Sequence, residues 1–262
     1  MKKLILHIGL ERTGTTSIQK TLKKNCPTLE KNGFAYIACE NYNSTDLAYV
    51  FGTNRNFDFA ERFGISGRKI ENKIKEILEE YTNSILHFSR LSSIKTLIMS
   101  SEHFSSRVTA IGDINLFKEF LDRFCLDVEI ILVTRDQDEI ISSLYSVAMV
   151  AGHSIDYLAF CKLIANDQRY CPHENIIEKW SAVFANRITV LKYGENSTKS
   201  FLNKIGLSEL NLIEIVDNAS LGPKKIRILR IINRLFPNYK SWSEARRKSS
   251  IGNALRKIVL WI

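Results

Sequence analysis

The sequence predicts a three-layer α/β/α fold in which a central parallel sheet is covered by helices. Short runs of β-branched and apolar residues recur along the chain, as is typical of strands buried on both faces. Between them lie segments whose apolar residues repeat at helical spacing. With 262 residues and 45% hydrophobic content, the chain can bury the core of one domain, which we predict to span 1–262.

The predicted elements alternate between strand and helix. Strands are expected at 3–9, 34–38, 93–100, 126–133 and 187–193. Helices are expected at 15–24, 70–89, 139–150, 155–165, 174–185 and 198–205. Asn32-Gly33 marks the turn before the second strand, and Gly206 is a typical helix stop.

Two insertions are predicted to shape the approach of an acceptor molecule. The segment 40–68 is rich in Asn, Gly, Phe and charged residues without a clean repeat, so we expect it to be irregular. The segment 151–172 contains the helix at 155–165 and a break at 167–172.

The junction of the first strand and first helix carries the motif Gly9-x-x-Arg12-x-Gly14-Thr15-Thr16. A glycine loop that leads into a helix opened by small hydroxyl residues directs backbone N–H groups and the positive helix end at one place, where an anion can bind. The loop resembles the P-loop, in which a lysine follows the second glycine and reaches the terminal phosphates. In this chain Thr15 has that position, and Arg12 supplies the positive charge.

This variant resembles the 5′-phosphosulfate loop of sulfotransferases that use PAPS (3′-phosphoadenosine 5′-phosphosulfate). Such a donor has no terminal diphosphate to hold, so the missing lysine is consistent with it. The resemblance implies that Arg12 also stabilises charge during transfer. It implies donor binding by the residues Arg12, Thr13, Gly14, Thr15, Thr16 and Ser17. A short glycine motif alone also occurs in ordinary turns, so a second element has to agree.

A second motif does agree, at the end of the strand at 126–133. In PAPS-dependent sulfotransferases a strand of this kind ends in an arginine, and a serine about two helical turns later joins it in holding the 3′-phosphate of the donor. The matching residues are Arg135 and Ser143. The alternatives are a surface ion pair of Arg135 with Asp136 or Asp138, and an ordinary exposed position for Ser143. Both motifs follow strands at their carboxyl ends, where ligands of open α/β sheets bind.

The strand at 93–100 leads into Ser101-Glu102-His103. Many bacterial sulfotransferases of this loop type have Ser-Ser-Glu at the same strand exit, and related heparan-type enzymes use a glutamate to take the acceptor proton. The resemblance therefore implies that Glu102 is the general base. An alcohol is a poor nucleophile until a nearby base accepts its proton. His103 is the alternative base, because histidine titrates near neutrality. A helix-capping or ion-pair role for Glu102 also remains open.

Three positions receive no ligand role. Gln137 stands where the family often has proline. Lys192 and Gly194 depart from the Arg-Tyr-Glu strand end common in the family, so nothing is assigned to Tyr193. His7 lies inside the first strand and is interpreted as a core histidine.

Together these motifs predict a PAPS-dependent O-sulfotransferase that releases PAP, the desulfonated donor. The Gly-x-x-Gly-x-Trp-Lys motif of small-molecule sulfotransferases is missing from the sequence, which favours a carbohydrate acceptor such as a glycan, lipooligosaccharide or exopolysaccharide. Two alternatives stay open. One is a P-loop kinase or NTPase acting on a small molecule, and the other is a non-catalytic nucleotide- or glycan-binding module.

The histidines and cysteines favour a transfer without a metal ion in a reducing compartment. No His or Cys pair has zinc-ligand spacing, and the five cysteines form no C-x-x-C pair. Only Met1-Lys2 precedes the first strand, so no signal peptide is recognised and a cytoplasmic bacterial enzyme is expected.

The net charge of +9 predicts anionic partners, of which the nucleotide donor is one. Nucleic acid is disfavoured because no RNA-binding signature or zinc-finger spacing is present. The segment 222–262 is predicted to be helical and strongly basic. It either contacts an acidic glycan or the inner face of the membrane peripherally, or forms solvated helix faces that cover the sheet.

Overall fold

The computed structural model describes residues 1–38, 42–165, 167, 173–194, 196–216, 221–236 and 259–260. These residues form an α/β structure around a sheet of five parallel strands in the order β2-β3-β1-β4-β5. The strands are β1 (Lys3–His7), β2 (Phe34–Tyr36), β3 (Thr96–Ser100), β4 (Asp127–Thr134) and β5 (Ile188–Lys192). The predicted α/β class and central parallel sheet are confirmed, and the arrangement is compatible with three layers.

The chain divides into two compact units. Unit 1 comprises Met1–Arg135 and Arg169–Asn218, and unit 2 comprises Asp136–Gln168 and Ala219–Ile262. Unit 1 holds the whole sheet and the helices α1 (Thr15–Lys24), α2 (Cys26–Lys31), α3 (Thr45–Val50), α4 (Arg55–Phe63), α5 (Arg68–Arg90), α6 (His103–Arg107) and α7 (Ile111–Asp122). Helices α8 (Gln137–Val150) and α9 (Tyr157–Ala165) belong to unit 2, α10 (His173–Val183) and α11 (Ser197–Lys204) to unit 1, and α12 (Pro223–Leu235) to unit 2. Compactness of this kind does not define a folding domain, so the single domain over 1–262 stays a prediction.

The register of the sheet brings three strand exits to one edge. His7 of β1 lies beside Ser100 of β3 and Ile131 of β4. Beyond β1 the ladder continues, because the Leu10 amide donates to the Val133 carbonyl (3.1 Å). The loop after β1 therefore lies between the ends of β3 and β4, where parallel α/β sheets bind ligands.

The core forms because successive strand residues alternate between the faces of the sheet. Ile5, Ile98 and Ile131 are almost fully buried on one face. They pack with Ile18 of α1 and Phe201 of α11, so both helices are held against this face of the sheet. Burial of these aliphatic side chains fixes where α1 begins relative to β1.

The prediction that 40–68 is irregular is wrong for most of that segment. It contains α3, α4 and the start of α5, with Leu47 and Phe59 fully buried. The first two helices have six and nine residues, too few turns for a periodic pattern to stand out. Residues 39–41 lie outside the described part of the chain, as do 166 and 168–172 of the second insertion.

The end of the chain is described only in part. Helix α12 confirms that the segment predicted at 222–262 begins as a helix, whereas 237–258 and 261–262 lie outside the described residues. Among the helices that the structure describes, none combines the length and the apolar character needed to cross a bilayer.

Candidate functional site

The loop between β1 and α1 is closed by its own side chains and by left-handed backbone. The Thr13 hydroxyl is fully buried and donates to the Leu10 carbonyl (2.6 Å). Arg12 has φ 69° and Gly14 has φ 74°, in the region that glycine adopts readily and arginine rarely does. A non-glycine residue in this strained conformation is often found at a functional site, so the backbone of Arg12 marks it as a candidate functional residue.

Position 9 requires glycine because the side chains of Thr15 and His7 lie very close to where a Cβ would be. A Cβ at this position would lie 2.7 Å from Thr15 Cγ2 and 2.8 Å from His7 Nε2, so a larger residue fits only if the buried side chains of Thr15 and His7 shift. At Gly14 a Cβ would lie 3.2 Å from Cε2 of Tyr193. The two glycines of the motif therefore let the loop lie directly against its neighbours.

The hydroxyl residues at the start of α1 differ in exposure. Thr15 and Ser17 are buried, and Thr16 is half-buried. The first amides of a helix have no intrahelical acceptor, which makes them the natural donors to an anion. Thr16 can add its hydroxyl, whereas the Thr13 hydroxyl is already used within the loop.

Arg135 contacts the loop although 123 positions separate it from Arg12 in sequence. Its Nη1 donates to the Arg12 carbonyl at 2.9 Å. Its guanidinium carbon lies 4.4 Å from the centre of the Tyr193 ring. The end of β4 and the glycine loop, the two motifs singled out in the sequence, therefore meet in unit 1.

Two guanidinium groups are close enough in this site to affect each other. Burial lowers the pKa of Arg12 from its ordinary value, and the positive charge of Arg135 lowers it further. Glu11, Tyr193 and Glu102 act in the opposite direction. Like charges held near one another disfavour the charged state, and an anion bound beside them would relieve this repulsion.

Tyr193 belongs to this site, although the sequence alone predicts no role for it. It follows β5, and its amide donates to the Thr134 carbonyl at 2.7 Å, which holds its ring beside Gly14 and Arg135. No role is predicted for Tyr193 because Lys192 and Gly194 stand where the family usually has arginine and glutamate. Its position at the exit of the strand next to β4 was the available signal.

Glu102 is held by a buried amide. Gln19 of α1 is fully buried, and its Nε2 donates to Glu102 Oε2 at 2.8 Å. Asn43 in turn donates to Gln19 Oε1 at 3.4 Å. Glu102 occupies the position before α6 without capping that helix through its side chain; the Ser101 hydroxyl instead accepts from the His103 amide (3.1 Å). The side chain of Glu102 therefore does not cap α6, and the predicted alternative of a capping role is wrong.

His103 belongs to a different set of contacts from Glu102. Its Nδ1 lies 3.7 Å from Glu11 Oε1, and Glu11 also pairs with Arg107 (3.5 Å). Arg107 reaches the buried carboxylate of Asp58 at 3.3 Å. Burial lowers the pKa of His103, although Glu102 and Glu11 raise it. The imidazole therefore lies beside the ion pairs that Arg107 makes with Asp58 and with Glu11, the residue that precedes Arg12.

Ser143, Asp136 and His7 are the other positions considered from the sequence. Ser143 lies in α8 of unit 2 and is only 4% exposed, so the exposed position considered for it is wrong. Asp136 caps α8, because its carboxylate accepts from the Asp138 amide at 3.0 Å. His7 is fully buried with Nδ1 2.8 Å from the Ser100 hydroxyl, as expected of a core histidine.

The site thus combines an amide-rich loop, two arginines, a tyrosine ring and an oriented carboxylate. Among the described residues, no cluster of three or more His, Cys, Asp or Glu side chains could hold a metal ion. No protein-family model matches this chain, and a search of curated proteins returns no match.

Proposed function

We propose that this chain is an O-sulfotransferase of the P-loop-like sulfotransferase fold that uses PAPS as donor and releases PAP. The observation that carries the proposal is the 2.9 Å hydrogen bond from Arg135 to the Arg12 carbonyl, which joins the two motifs that resemble donor-binding segments. The acceptor we propose is a hydroxyl of a carbohydrate, as the sequence resemblance implies.

The residues present suit a donor with two separate anionic groups. The α1 amides, the Thr16 hydroxyl and Arg12 offer a place for the 5′-phosphosulfate. Arg135 of unit 1 offers one for the 3′-phosphate. Thr15 in place of the P-loop lysine disfavours the kinase and NTPase alternative, because those enzymes use that lysine on the terminal phosphates.

Tyr193 provides a support for this arrangement that the motifs alone lack. The Cε2 atom of its ring lies beside Gly14, and the Arg135 guanidinium lies over the ring. A guanidinium stacked on an aromatic face directs its N–H groups outwards in its own plane, the direction from which anionic oxygens accept. Arg135 is therefore oriented before any donor binds.

Glu102 is the proposed general base. Its carboxylate accepts the proton of the acceptor hydroxyl while that oxygen forms a bond to sulfur. The bond from sulfur to the bridging phosphate oxygen breaks, and PAP leaves with the electron pair. Arg12 and the loop amides stabilise the charge that develops on the transferred group and the leaving oxygen.

Gln19 acts on this chemistry as a positioning residue. Because its amide is fully buried and donates to one carboxylate oxygen, Glu102 keeps one orientation and its other oxygen remains the one to accept a proton. A preoriented base loses less freedom in the transition state than a mobile side chain would. His103 Nδ1 lies 3.7 Å from Glu11 Oε1, too far for a hydrogen bond, so we propose the oriented carboxylate of Glu102 as the base.

The test is transfer of labelled sulfuryl groups from PAPS to a panel of glycans. We expect wild type to label at least one glycan without added Mg²⁺. Glu102→Gln should lose about 100-fold or more of the transfer rate while PAP affinity is retained. The matched control is Glu79→Gln, at an exposed position of α5, which should transfer normally.

Other results would assign the chain to one of the alternatives. ATP turnover with Mg²⁺ and no transfer from PAPS would favour the kinase or NTPase. Binding of PAP and glycan with no transfer under any condition would favour the non-catalytic module. Unchanged transfer by Glu102→Gln would remove Glu102 from the mechanism.

A further inference from the structure

Helix α12 of unit 2 exposes one continuous face. Six positions spaced at helical intervals lie on it, and all are solvent-exposed. They are Lys224, Arg227, Ile228, Ile231, Arg234 and Leu235. We call these six residues the α12 outer face. At about 1.5 Å per residue, a helix of this length presents the face over about 20 Å.

The opposite side of α12 is the one that packs within unit 2. Leu229 and Ile232 are buried there. The fully buried Asn233 amide donates to the carbonyls of Met149 (2.8 Å) and His153 (2.7 Å) at the end of α8. These contacts fix the rotation of the helix about its axis. The side of α12 that packs within unit 2 is therefore already occupied, and the α12 outer face is a second, solvent-exposed side.

The α12 outer face combines aliphatic and cationic side chains. Ile228, Ile231 and Leu235 are 46%, 52% and 69% exposed. Viewed along the helix they form a strip with Lys224, and Arg227 and Arg234 lie together along one side of it. No acidic residue occurs anywhere in the sequence of α12. An exposed aliphatic strip with cations along one side is typical of helices that lie in the headgroup region of a bilayer.

For its size, unit 2 exposes more large hydrophobic side chains than unit 1 does. Half of the large hydrophobic side chains exposed among the described residues belong to it, although it is the smaller unit. Besides those of α12 and Leu260, they are Val147, Val150, Tyr157, Leu158 and Leu163. Clustered exposed apolar surface marks an interaction site more often than scattered single residues do.

We propose that the α12 outer face binds the surface of an anionic lipid bilayer. The three aliphatic side chains enter the boundary between headgroups and acyl chains, and the three cations contact lipid phosphates. The charge of the face is complementary to such a surface, and its aliphatic strip would gain little from a nucleic acid, which is bound through phosphates and stacked bases. This inference does not depend on the proposed sulfuryl transfer.

The experiment is co-sedimentation of the full chain with vesicles. Two compositions are compared, phosphatidylcholine alone and phosphatidylcholine with phosphatidylglycerol, at low and high salt. Wild type should sediment only with the anionic vesicles, and less at high salt. Arg227→Gln/Arg234→Gln should bind about thirtyfold more weakly, since each cation contributes on the order of 1 kcal/mol near such a surface. Ile228→Ser/Ile231→Ser/Leu235→Ser should also bind more weakly.

Controls separate this face from general charge and hydrophobicity. Lys69→Gln/Lys75→Gln removes two exposed cations of α5, and Leu116→Ser removes an aliphatic side chain of α7 that is 53% exposed. Both should bind as wild type does, and circular dichroism should show that all variants are folded. The proposal is overturned if wild type ignores anionic vesicles, if the α12 variants bind equally well, if the protein sediments without vesicles through self-association, or if it binds RNA in preference to vesicles.

Discussion

Arg135 is the residue through which distant parts of the sequence reach one site. Its side chain contacts the Arg12 carbonyl and the Tyr193 ring. Burial is the main cause that lowers the pKa of the Arg12 guanidinium, and the charge of Arg135 lowers it further. A protein that keeps two guanidinium groups in this relation is suited to an anionic ligand. The sequence motif predicted Arg135 but not its partner Tyr193, because the contact depends on the pairing of β4 with β5.

Gln19 permits a test of how Glu102 is oriented. In Gln19→Leu the hydrogen bond to the carboxylate is lost, and kcat for sulfuryl transfer should fall about 10- to 100-fold, as expected for a bond to a charged group. PAP affinity and the KM for the acceptor should change little, because Gln19 touches neither ligand in the proposed mechanism. A loss of PAP affinity with unchanged kcat would instead indicate a structural role for Gln19 in the loop.

His7 gives the fold a dependence on acid. Burial lowers its pKa from 6.5 to about 3. Between these values the unfolded chain binds a proton that the folded chain does not, so stability falls as pH decreases through this range. By pH 5 the loss should reach about 2 kcal/mol.

Urea unfolding at pH 7.5 and pH 5 measures this effect. His7→Asn keeps a polar group near the Ser100 hydroxyl but does not titrate. We expect the variant to be less stable than wild type at pH 7.5 and to lose about 2 kcal/mol less on acidification. Equal losses in both proteins would show that His7 does not carry the dependence.

At the scale of elements, the glycine loop depends on the packing of β1 against α1. Gly9→Ala would place a methyl group 2.7 Å from Thr15 Cγ2, so it should destabilise the fold by about 1–3 kcal/mol and weaken PAP binding. Gly112→Ala in α7 has no atom within 4 Å of the new methyl group and should stabilise the fold by about 0.4–1 kcal/mol. Thermal unfolding of both variants checks the opposite signs, and a Gly9→Ala protein as stable as wild type would contradict the close contact.

The strands were easier to predict from sequence than the short helices. All five predicted strands are present, because β-branched runs between polar strand ends mark a buried parallel strand clearly. The prediction at 40–68 failed because α3 and α4 are stabilised by tertiary contacts, including the ion pair of Asp58 with Arg107 of α6. The contact of Gln19 with Glu102 could not be predicted for the same reason, since it links residues 83 positions apart.

For the whole molecule, the parallel sheet explains why motifs spread over the sequence lie together. β1, β3 and β4 are adjacent, so the residues that follow them share one edge. The α/β class and the location of the site follow from this topology and could be predicted from the sequence. The excess of positive charge also suits an anionic donor, yet it does not distinguish the donor from a membrane, which is why α12 is tested separately.

The most direct test of the proposed function is calorimetric titration of PAP, ADP and ATP, with and without Mg²⁺. Wild type should prefer PAP and bind it equally well without the metal ion. Arg135→Ala should weaken PAP binding about 10- to 100-fold, the range for a hydrogen bond to a charged group. Arg90→Ala, which removes an exposed arginine at the end of α5, should leave it unchanged. Preference for ATP with Mg²⁺, or equal PAP affinity in wild type and Arg135→Ala, would contradict a PAPS site at the meeting point of Arg12 and Arg135.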